Sequence, residues 1–96
     1  MGAAAIGELQ LENEHFRVTR WTIPPGGAIP LHRHDRAYVV VPLVSDTMLV
    51  IDSDGRESVA RLTEGESYAR SGGFAHEVRN PHSDRPIVFV EVERLS

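Results

Sequence analysis

Residues 30–41 read PLHRHDRAYVVV, two histidines around an arginine where a Pro- and Gly-rich stretch gives way to a valine run. Side chains two apart in an extended chain share a face, so His32 and His34 can present both imidazoles to one point. Neutral imidazole is the commonest metal ligand near neutral pH, with bonds of about 2.0–2.1 Å to zinc. A third nitrogen from another strand would complete a facial set, and His76, opening HEVRN after a glycine turn, is the candidate. Spacing alone leaves a second reading open, in which the pair is simply two exposed polar residues at a loop mouth.

The flanking sequence is strand-forming. HFRVTRWTI alternates, with Phe16, Val18 and Arg20 on one face and Arg17, Thr19, Trp21 and Ile23 on the other, and reads as a first strand. PPGGAIP ends it, and AYVVVPLV is apolar enough for a strand buried on both faces, with Pro42 marking an edge or a bulge. TMLVID, SDG and RESVARL predict a hairpin, because Asp54-Gly55 supplies the positive φ of a tight turn. SYAR, HEVRN and IVFVEVERL follow, the last alternating Val90 and Val92 against Glu91 and Glu93. No stretch carries a convincing amphipathic helix. Seven or eight short strands punctuated by Gly and Pro predict an all-β fold, a small antiparallel β-barrel or jelly-roll-like sandwich. Residues 1–8 read as a flexible tail without a basic n-region or long apolar core, and 9–96 as one domain.

Composition narrows the chemistry. The chain of 96 residues has no cysteine, which removes disulfides, thiolate nucleophiles and sulfur ligands, so any metal must use nitrogen or oxygen. All ten basic residues are arginines, which excludes a Schiff-base lysine. A net charge of -4 disfavours nucleic acid, and no run approaches the roughly 20 apolar residues of a membrane span. The expectation is a cytoplasmic protein with a small-molecule ligand or substrate. Exposed edges on so small a barrel predict a homodimer.

GGAIPLHRH separates Gly26 from His32 by five residues, and GESYARSGGFAHEVRN contains Gly65, Gly73, His76 and Asn80. At these spacings the chain resembles the cupin superfamily, whose motifs are G-x5-H-x-H-x3,4-E-x6-G and G-x5-P-x-G-x2-H-x3-N. The resemblance covers residues 26–80 directly and implies a double-stranded β-helix in which His32, His34 and His76 bind a divalent metal ion, Fe2+, Zn2+, Mn2+ or Ni2+. Gly65 and Gly73 match its turn glycines, and Asn80 its terminal, structural Asn. Two departures matter: Ser71 replaces a Pro, and the Glu of the first motif falls at Tyr38 or Val39, so the usual carboxylate ligand is missing. Three neutral ligands should hold a cation less tightly but leave coordination positions open.

Tyr38 shares parity with the two histidines and is the candidate for orienting a substrate or an oxygen intermediate, whereas Asp35 points away. Arg70 is a candidate anion clamp, because guanidinium pairs with carboxylate in a bidentate way, or an ordinary surface arginine. His15 and His82 match no motif position and read as surface residues; Glu77 alternates outward. The resemblance implies a metal-dependent enzyme of dioxygenase, isomerase or lyase type acting on a small organic molecule. The alternative is a non-catalytic small-molecule-binding or sensing module, favoured by the missing Glu and the lack of an evident general base.

Overall fold

A computed structural model describes residues 3–96. Nine strands run through them: β1 (Ile6–Glu12), β2 (Phe16–Ile23), β3 (Ala28–His34), β4 (Tyr38–Pro42), β5 (Asp46–Asp52), β6 (Glu57–Leu62), β7 (Tyr68–Arg70), β8 (Phe74–Arg79) and β9 (Ile87–Arg94). All strand pairings are antiparallel, in two sheets ordered β1-β2-β9-β4-β7 and β3-β8-β5-β6. This is the all-β, double-stranded β-helix architecture expected from the sequence.

The two inner faces meet in one core. The first sheet contributes Ile23, Val40, Ile87 and Phe89, the second Ile29, Met48, Leu62 and Val78, all at most 5% exposed. Burying a side chain of this size contributes about 1.5–3 kcal/mol, so the sandwich is held chiefly by these two facing rows. The β5–β6 hairpin turns at Gly55, whose φ of 83° is the left-handed conformation that the Asp-Gly signal requires. Asn80, 2% exposed, closes a corner: its Nδ2 donates to the carbonyls of Ile23, Pro24 and Arg85 at 2.8–3.2 Å, and its Oδ1 accepts from the His82 amide.

Three expectations change. Residues 6–8, placed in a tail, belong to β1, where Ile6, Gly7 and Glu8 pair with Thr22, Trp21 and Arg20; HFRVTRWTI is therefore the second strand. The rest of that stretch consists of Ala3–Ala5, with Ala4 bridged to Ala28, and of Met1 and Gly2, which lie outside the described residues. β4 is buried on one face only, with Tyr38 and Val40 inside and Val39 37% exposed, because only its inner face meets the second sheet. His82 is not a surface residue: its side chain is 15% exposed and its Nε2 lies 2.7 Å from Asp46 Oδ1. Arg85 donates to both oxygens of the same carboxylate at 2.6 and 3.2 Å, pinning the β8–β9 loop to the start of β5.

Candidate metal centre

β3 reaches the site through an irregularity. Its register against β8 shifts by one residue between Ile29 and His32, so Ile29 faces the core and the even-numbered His32 and His34 face the same interior after it. Pro30, lacking an amide proton, lies in that break. His76 stands directly opposite His32 on β8. At the end of the pair, Gly73 (φ 97°) donates its amide to the His34 carbonyl at 2.6 Å, a backbone conformation that L side chains rarely adopt. The turn glycine thus fixes where β8 starts and brings His76 level with His32.

Candidate ligand nitrogens from the three imidazoles all lie within 4.8 Å of one another, and the ring centroids are 4.7, 4.9 and 5.1 Å apart. His32 Nδ1 is 2.8 Å from the Pro30 carbonyl, an acceptor that selects the Nδ1–H tautomer and leaves the Nε2 lone pair free. Nε2 of His32 and Nε2 of His34 approach to 2.9 Å. Burial, followed by the charge of His32, pushes His34 down to about 4; burial, then His32, His34 and Arg70, do the same for His76. Both are therefore neutral at pH 7, with lone pairs available. The donor set fits a divalent cation of the nitrogen-preferring kind.

The triad opens on a cavity of about 380 Å3 between the sheets. Tyr38, 7% exposed, stacks on His34 with ring centroids 4.0 Å apart and an interplanar angle of 25°. Burial, reinforced by Glu91, raises its phenol to about 12, so it is a protonated hydrogen-bond donor rather than a phenolate. Arg70, opposite Tyr38 on β7, also lines the cavity; its guanidinium carbon lies 5.4 Å from the Tyr68 ring centroid, and among the described residues it has no ion-pair partner. Asp35 points out and pairs with Arg33 at 2.9 Å. Glu77 is held by Arg79 outside the cavity, and His15 is exposed.

Sequence reasoning missed the acidic residue of the cavity. Glu91 on β9 faces inward, its side chain 13% exposed and its Oε2 3.8 Å from His34 Nε2. Burial, aided by the neighbouring charge of Glu93, pushes its carboxyl up to about 7. The Trp21 indole opposes that rise slightly, yet its buried Nε1 has no partner in hydrogen-bond geometry. The available signal was parity: Glu91 shares a row with Ile87 and Phe89, the two most buried residues of the strand. The cavity therefore has an acidic side chain on the sheet opposite the histidines.

No protein-family model matches the chain. It is 39% identical over 89 residues to the β-alanine degradation protein BauB of Pseudomonas aeruginosa, an alignment covering 93% of this chain and 92% of that protein. A solved cupin domain from Bordetella pertussis Tohama I superposes with a TM-score of 0.94 at 42% identity, covering 100% of this chain and 98% of that one. An RmlC-like cupin with a double-stranded β-helix fold from Methanocaldococcus jannaschii, at 18% identity, shares the fold with a TM-score of 0.75 over 94% of this chain and 79% of that one. Fold, motif glycines, histidine cluster and these relatives agree: the chain belongs to the cupin superfamily.

Proposed function

We propose that the protein is a metal-dependent enzyme acting on a small organic substrate that carries an anionic group. The observation that carries this reading is the gathering of His32, His34 and His76 around one point of the cavity between the sheets. A divalent ion held by three neutral imidazoles supplies a Lewis-acidic centre with open coordination positions, suited to dioxygenase, isomerase or lyase chemistry. Arg70 binds the substrate's carboxylate at the cavity wall, Tyr38 donates a hydrogen bond to an oxygen of the bound substrate, and the apolar wall of Val40, Met48 and Phe89 excludes water. BauB's name ties that relative to β-alanine degradation, in keeping with a short carboxylate as ligand.

Self-association through β1 accompanies this reading, since that edge strand exposes Ile6, Leu9 and Leu11. The test is turnover by protein loaded with Fe2+, Zn2+, Mn2+ or Ni2+ against short-chain carboxylates and their oxo and hydroxy derivatives, with oxygen uptake followed in parallel. Product formation that requires the metal supports the enzyme. Thermal stabilisation by such acids with no turnover under any metal contradicts it and supports a binding module.

A further inference from the structure

Glu91 is a largely enclosed carboxylate, its side chain 13% exposed. Among the described residues no arginine is ion-paired to it, Arg70 of the same cavity included, and the one basic side chain within ion-pair range is the His34 imidazole, 3.8 Å away. An anion held away from water costs several kcal/mol unless a positive charge meets it. The positions where the first cupin motif places its Glu hold Tyr38, stacked on His34, and Val39, which points outward. The cavity thus presents three imidazoles from β3 and β8 on one side and a single carboxylate from β9 on the other.

We propose that Glu91 supplies the negative charge of the metal centre, facing the cation from the opposite sheet at the edge of the three-histidine cluster, 3.8 Å from His34. This rests on the metal-binding reading above. It sets a counter-charge beside the neutral three-histidine set, mounted on a strand the motifs do not include.

The test is titration of the tag-free protein with Zn2+ and with Co2+, comparing wild type, E91Q and E93Q. Glu93 lies two residues along the same strand and is paired with Arg17 at 3.2 Å, so it controls for a general change in charge. Expected are one ion per wild-type chain, affinity lowered 10- to 100-fold in E91Q, the range found for groups that tune a metal site, and affinity unchanged in E93Q. The visible bands of the Co2+-loaded protein should differ between wild type and E91Q, a readout that a purely structural glutamate would not move. Equal affinities and spectra for wild type and E91Q overturn the role of Glu91 while leaving the histidine site intact. Absence of binding by wild type overturns the metal centre itself and this inference with it.

Discussion

Oε2 of Glu91 lies 3.8 Å from Nε2 of His34, across the gap between the two sheets. The contact joins a carboxylate that burial pushes up to about 7 to an imidazole that burial pushes down to about 4, so neither is charged to suit the other. Such mutual frustration marks a site shaped for something other than its own stability.

The metal-free protein should reveal that cost. Glu91's folded-state pKa is above its unfolded value, so its contribution to stability is intact below about pH 4.5 and lost as the pH rises through about 7. At pH 8 the penalty is on the order of 3 kcal/mol. Melting in the presence of a chelator should show E91Q more stable than wild type at pH 8 and no more stable at pH 4. Equal melting temperatures at pH 8 would mean that the carboxylate is better solvated than the structure shows.

Arg70 gives a second expectation. Its guanidinium is the cationic group of the cavity wall and is free of ion pairs among the described residues. Hydrogen bonds to charged groups contribute roughly 1.5–3 kcal/mol, so R70Q should raise KM or Kd for carboxylate ligands about 10- to 100-fold and leave neutral analogues unaffected. An equal loss for both ligand types would assign Arg70 to structure instead.

The Asp46 cluster should govern acid stability. The hydrogen bonds from Arg85, with further help from the Thr47 amide, hold the Asp46 carboxyl at about 2. A depressed pKa stabilises the fold above the unfolded value of about 3.8 and is lost as the pH falls toward 2. Acid titration followed by circular dichroism should show wild type losing stability between pH 4 and 2. D46N should be less stable than wild type at pH 7, with a shallower dependence in that window; identical profiles would remove the clamp from the account.

Asn80 makes four hydrogen bonds at 2% exposure, so truncating it leaves buried carbonyls unpaired. N80A should cost about 2–4 kcal/mol in denaturant unfolding. N80D should do no better, because a carboxylate cannot donate to the carbonyls of Ile23, Pro24 and Arg85. A loss below about 1 kcal/mol would show that the corner is held by the backbone alone.

How legible the molecule was in its sequence depended on how local each determinant is. The H-x-H pair is read from strand periodicity, and His76 from a glycine turn at fixed spacing, and the structure brings all three side chains together. β1 was missed because its face carries no buried residue; Gly7 lies where a Cβ would meet the Trp21 ring at 2.9 Å, a contact invisible without the partner strand. Glu91 was missed because alternation along VFVEVE separates two rows without saying which faces the core. His82 looked exposed because loops usually are, and only the fold brings Asp46 of β5 to it.

The central claim is that His32, His34 and His76 form one cation site. Elemental analysis after loading with Zn2+ and exhaustive dialysis tests it most directly, on protein purified without a histidine tag. One ion per wild-type chain, falling to a small fraction in H76A with the circular dichroism spectrum unchanged, is the result predicted by the 4.8 Å cluster. Equal metal content in wild type and H76A would contradict it.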